Sequence, residues 1–247
     1  MDLLITIFSW CLSIAIGMVI ALHVLAPLLI WKQQGITADY RLQQLPAEAF
    51  LAERNEEFRG WHNDLLAMNF AYLGSSQLTL SHAKTFVSLY RHDNGLVATV
   101  ATSANAMQEV NMLEFTQVYA DGSVLSSNNS TQLGIFPALP YKQCYRLPAI
   151  RDARALMQAA LLLRKQRPGE LATLSAGREF EEIADFLNRE HQDLLRKGYF
   201  ASALRPDGLR GLSLKGAYLM TWKLLWPTRP WLDAGQRRQG IRALRKA

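Results

Sequence analysis

The sequence predicts an α+β fold: an N-terminal transmembrane helix, then a small antiparallel β-meander flanked by helices. Three observations carry this reading. No Asp, Glu, Lys or Arg occurs across residues 3–31. Two stretches of alternating pattern follow, built around the tight-turn dipeptides Asn94-Gly95 and Asp121-Gly122. Before and after them, apolar residues recur at three- and four-residue steps. Strands gathered between helices, rather than alternating with them, form one antiparallel sheet with helices packed on it.

The opening segment is read first. A bilayer core takes about 20 apolar residues in helical form, and residues 1–31 supply more than that. A helix satisfies its own backbone in lipid. A cleaved signal peptide needs a cationic start, a short apolar core and a small-residue cleavage site. Here the start is Met1-Asp2 and the apolar run is too long, so residues 1–31 are expected to be an uncleaved anchor. Lys32, Arg41 and a basic C-terminal end all follow the span. The positive-inside rule then places the N-terminus outside and the remainder in the cytoplasm of a bacterial inner membrane. His23 is a polar residue at depth, which either faces a partner or reaches the headgroups. Ser13 and Gly17 stand four apart and could seat another helix.

Residues 32–45 are expected to be a juxtamembrane linker, and 46–205 a cytoplasmic α+β domain. Within that domain, 46–72 reads as one helix, with Phe50, Phe58, Trp61, Leu65 and Met68 as its stripe. Pro46 suits its first turn and Gly74 its end. Residues 84–91 and 96–102 form the first hairpin, and residues around Asp121-Gly122 the second, giving about four strands. Residues 129–150, with Pro137, Pro140 and Pro148, read as irregular chain with room for one short strand. Two amphipathic helices follow, at 151–165 and 179–197, the second closed by Gly198.

The net charge of +6 is concentrated at one end. From Pro206 onward nine cations face only Asp207 and Asp233, giving +7, so the first 205 residues carry −1. Residues 206–247 are therefore read as a basic, Trp-rich, membrane-proximal tail. Lys215, Tyr218, Trp222, Lys223, Trp226, Arg229, Trp231, Arg237 and Arg238 are its expected interface residues, because aromatic bodies and cationic tips both suit the headgroup layer. Anionic lipid attracts such cations at roughly 1 kcal/mol each. Two other readings of 212–226 stay open: a helix buried in the domain, and a helix filling a groove on a partner. Nucleic acid is not expected, since no nucleic-acid fold or base-stacking motif accompanies the charge.

Chemical motifs are scarce. There is no HExxH, GxSxG or phosphate loop, and Cys11 and Cys144 form neither a metal-ligand pair nor a disulfide framework. His62 and Asp64 do not share a helix face. His82 and His92 stand about 33 Å apart along an extended strand. No cofactor, metal or catalytic residue is assigned. Tyr90, Arg91, Tyr119, Tyr141 and Tyr145 are the residues expected to line a partner groove across the meander, aromatics and Arg being enriched at interfaces. The leading expectation is a single-pass, membrane-anchored accessory or scaffolding protein without enzymatic activity, whose domain binds a membrane-protein partner. The alternative is a membrane-associated, hydrolase-like enzyme or lipid-handling protein acting on an amphiphile.

Overall fold

The computed structural model describes residues 2–80, 83–104 and 109–246. The terminal residues Met1 and Ala247, and His82 of the histidine pair considered above, lie outside these.

The chain is an α+β protein with a long apolar N-terminal helix. That helix, α1 (Asp2–Gln33), contains a candidate span of high hydropathy at Leu4–Gln33. Residues 32–45, expected as a linker, hold two short strands, β1 (Gly35–Thr37) and β2 (Gln43–Gln44).

Where one helix was expected over 46–72, there are two helices and the start of a strand: α2 (Ala47–Ala52), α3 (Glu56–Ala67) and β3 (Ala71–Leu80). The break falls at Asn55. Its side chain accepts from the Phe58 N–H at 2.9 Å and so caps α3, with Glu56 and Glu57 at the positive end of the helix dipole. Gly60 sits mid-helix with open space beside it and does not split α3. Asn69, at φ 63, ends the helix by entering the left-handed region that Asn tolerates. Gly74 is instead a bulge within β3, where the pairing with the next strand shifts between Tyr72 and Gly74.

The meander is β4 (Ala83–Arg91), β5 (Val97–Ala104), β6 (Glu109–Tyr119) and β7 (Val124–Asn128). Gly95 and Gly122 take positive φ at the two predicted turns. The irregular stretch yields β8 (Lys142–Arg146), which joins β7 in parallel. Its crossover connection is what parallel pairing demands. The sheet runs β2-β3-β4-β5-β6-β7-β8, with β9 (Leu171–Ala172) added to the end of β6.

Helices cover both faces. On one side α3 and α4 (Ala153–Gln166) bury Phe58, Leu65, Leu156 and Ala160 against Tyr90, Val100, Leu113 and Phe115. Each large side chain buried this way contributes about 1.5–3 kcal/mol. On the other, α5 (Glu179–Arg196) sets Phe180 on Val87 and Leu89. A second, small sheet follows: β10 (Phe200–Leu204) and β11 (Leu209–Leu212) pair with β1 in the order β1-β11-β10. The basic end, expected as a tail over 206–247, holds β11 and then two helices. α6 (Leu214–Leu224) is followed by α7 (Thr228–Arg245), which continues through Pro230 because a proline is tolerated in the first turn.

Candidate functional site

The feature that stands out is the junction between α1 and the small sheet. Residues 4–22 of α1 are exposed without exception, and burial begins at His23. At 1.5 Å per residue the bare stretch is about 28 Å long, close to the thickness of a bilayer core.

Below it, α1 is held along one side, where His23, Ala26, Pro27, Leu28 and Ile30 are partly or fully buried. β1 pairs antiparallel with β11, matching Gly35 to Gly211. The chain then turns into α6, capped by the Ser213 hydroxyl, which accepts from the Gly216 N–H at 2.8 Å. α6 packs along the lower part of α1. Pro27, buried in the α1 helix, has no N–H, so the His23 carbonyl four residues earlier loses its helical partner. The Trp222 indole N–H donates to that carbonyl at 3.1 Å. The Tyr218 hydroxyl donates to the adjacent Val24 carbonyl at 3.3 Å. Arg205 closes the lower end, donating to Trp31 O at 2.9 Å and Gln33 O at 3.3 Å. These carbonyls belong to the last turn of α1, which lacks helical donors, and the guanidinium lies at the negative end of its dipole. The His23 imidazole bonds back to Val19 O at 2.8 Å within its own helix.

Close approach on the far side of α6 depends on glycine. A Cβ on Gly216 would lie 2.0 Å from the Tyr199 carbonyl oxygen. Leu212, Ala217 and Met220 then close a core with Tyr199, Phe200 and Leu194, and Ile30 of α1 packs against it.

The expected interface residues separate into groups. Tyr218 and Trp222 hold α1. Lys215 donates to Lys197 O at 2.9 Å, at the C-terminal end of α5. Lys223 turns into the domain and donates to Ile135 O at 2.7 Å, and its burial pulls the ammonium below its ordinary pKa. Arg237 pairs with Asp233 at 2.8 Å. Trp226, Arg229, Trp231 and Arg238 stay exposed, the two indoles at 72% and 80%. α7 itself is fastened to the large sheet by the ion pair of Arg146 with Asp233 and by Gly240, where a Cβ would stand 2.8 Å from the Arg146 carbonyl oxygen.

The expected groove residues fall in different layers. Tyr90 is fully buried under α3, with its hydroxyl 2.9 Å from His62 Nδ1. Arg91, on the opposite face, pairs with Glu179 at 2.6 Å. Tyr119 and Tyr145 meet in one cluster with Leu163, while Tyr141 lies against Phe186 with the Arg189 guanidinium 4.0 Å from its ring centre.

A polar row crosses the α5-facing side of the large sheet. Asn128 Nδ2 donates to Glu114 at 2.9 Å and lies 3.3 Å from Cys144 Sγ. Lys142 pairs with Glu190 at 2.8 Å. Burial opposes the Lys142 charge, but Glu190 and Glu114 override it and raise its pKa. Burial and Glu114 raise the Cys144 thiol, which keeps it from acting as a thiolate. Among the described residues no group of three or more His, Cys, Asp and Glu is placed to hold a metal.

Sequence reasoning missed Pro27, Arg205 and Gly216 as parts of the junction. Only Pro27 carried a local signal, being a proline inside an apolar helix. Comparison with protein-family models, with curated proteins and with solved structures finds no match.

Proposed function

We propose that the chain is a single-pass, membrane-anchored accessory or scaffolding protein whose α+β domain binds a membrane-protein partner at the bilayer surface. The observation that carries this reading is the division of α1 at His23: one bilayer thickness of bare apolar helix, then a helix locked to the domain. A flexible tether lets a domain wander, whereas this junction fixes its height and direction relative to the membrane. It also speaks for an uncleaved segment, since removing α1 would strip Trp222, Tyr218 and Arg205 of their acceptors and α6 of its neighbour.

The partner surface is the α5-facing side of the large sheet. α5 crosses this face from Phe180 on Val87 and Leu89 to Glu190 on Lys142, and beside it Thr99, Ala101, Met112, Glu114 and Thr116 remain half-buried in a mostly polar field. The cations after the span favour a cytoplasmic domain with the N-terminus outside.

The test uses the full chain in cells. A photo-crosslinking residue at Thr99, Met112 or Thr116 should give a discrete adduct with a membrane protein, absent when it is placed at Lys165 on the far side. A sheet face that yields no protein adduct overturns the partner reading. A reporter fused after Ala247 should be active in the cytoplasm, and periplasmic activity alone would reverse the orientation.

A further inference from the structure

We infer that the α6–α7 corner is a second membrane-contact element, with Trp226 and Trp231 seated in the interfacial lipid of the leaflet from which α1 emerges. This rests on α1 crossing the bilayer, and it names the lipid surface as the occupant of the corner.

Height is the first argument. β11 pairs with β1 just beyond the end of α1, so α6 starts at the foot of α1 and climbs it. Its Trp222 reaches His23, the first residue below the bare stretch. The end of α6 and the start of α7 therefore stand at the level where about 28 Å of naked helix begins. Bilayer lipid already lies at that height beside α1.

Chemistry is the second. Leu224, Trp226 and Trp231 are exposed at the corner, and Trp222 is itself half-exposed while its N–H is used on α1. Large exposed side chains in one place are unusual on a surface that meets only water. An indole fits the headgroup boundary, its body apolar and its N–H free to bond water or ester oxygens. Arg229 lies between the two exposed indoles in sequence and supplies a cation for lipid phosphate. Lys223 and Lys215 are engaged elsewhere, at Ile135 O and Lys197 O.

The experiment uses the full chain in nanodiscs of phosphatidylcholine brominated either near the headgroup end or near the tail end of the acyl chain. Tryptophan emission of the parent is compared with a W226F/W231F variant and with W10F, each difference isolating its own indoles. Both sets of changes are at exposed positions. The Trp226/Trp231 component should be quenched, roughly twofold more by the shallow bromines, and the Trp10 component more by the deep ones. If Trp10 is quenched and the Trp226/Trp231 component keeps a water-like, unquenched emission, the corner is not in lipid and the anchor stands. If Trp10 is unquenched too, the anchor itself fails and takes the corner with it.

Discussion

The two halves of α1 obey different rules. Residues 4–22 are exposed along their whole length, and as the membrane anchor proposed above they need only length and apolarity, because lipid makes no specific demand on a side chain. Residues 23–33 are specified atom by atom, by a proline that frees a carbonyl, an indole that takes it, and a guanidinium that closes the last turn. On the proposed anchoring, one helix is tolerant where it meets lipid and exacting where it meets protein. Substitutions in the upper half should be nearly silent, and those in the lower half should not.

The sharpest break of that contrast is at two glycines. Gly216→Val forces a side chain into the Tyr199 backbone and should destabilise the domain by about 3 kcal/mol, the upper range for overpacking. Gly17→Val, with open space beside it, should shift stability by less than about 0.5 kcal/mol. Thermal unfolding in mild detergent reads both. Equal effects would erase the distinction.

Arg205→Met comes next. It keeps the aliphatic stem and removes donors to Trp31 O and Gln33 O, at an expected cost of about 1.5–2 kcal/mol. Increased proteolysis at residues 34–40 would locate the loss at the foot of α1.

Trp222→Phe should cost about 1 kcal/mol, because it leaves the His23 carbonyl without a partner. In a Pro27→Ala background residue 27 recovers its N–H, and the same substitution should cost roughly half as much. A cycle that closes with no coupling would show that the indole contributes by packing alone.

The smallest effect concerns acid. His191 of α5 is buried, stacked on Phe200 of the small sheet at 5.2 Å, edge-on to Tyr40, and without a hydrogen-bond partner. Burial and then Arg210 depress its pKa. The unfolded chain therefore binds this proton more readily than the folded one. Stability from this group is complete above about pH 6.5 and declines as pH falls through that value. His191→Phe should flatten that decline in an unfolding series from pH 7.5 to 5.5, while leaving insertion of α1 unchanged.

Much of the fold was legible because periodicity and turns are local. Asn94-Gly95 and Asp121-Gly122 placed the meander, and the apolar stripes placed α4 and α5. β3 escaped because its sequence, AYLGSSQLTL, does not alternate cleanly, and its bulge at Gly74 looked like a helix end. The aromatic residues near the junction were legible by type, since Trp and Tyr beside Leu and Lys mark an interface. Their partners were not. The acceptors of Trp222 and Tyr218 are backbone carbonyls 199 and 194 residues away in sequence. The direction of Lys223 was equally hidden, because its acceptor, Ile135 O, is 88 residues away in sequence.

That distance in sequence has a consequence during synthesis. α1 leaves the ribosome long before β11 and α6 exist. The small sheet joins residues 35–37 to residues 209–211, so its ladder closes only when nearly the whole chain is out. Until then the His23 carbonyl lacks its indole donor and β1 is a strand without a sheet. Closure of the junction is therefore a late event, in which residues 209–224 return to a helix made nearly two hundred residues earlier.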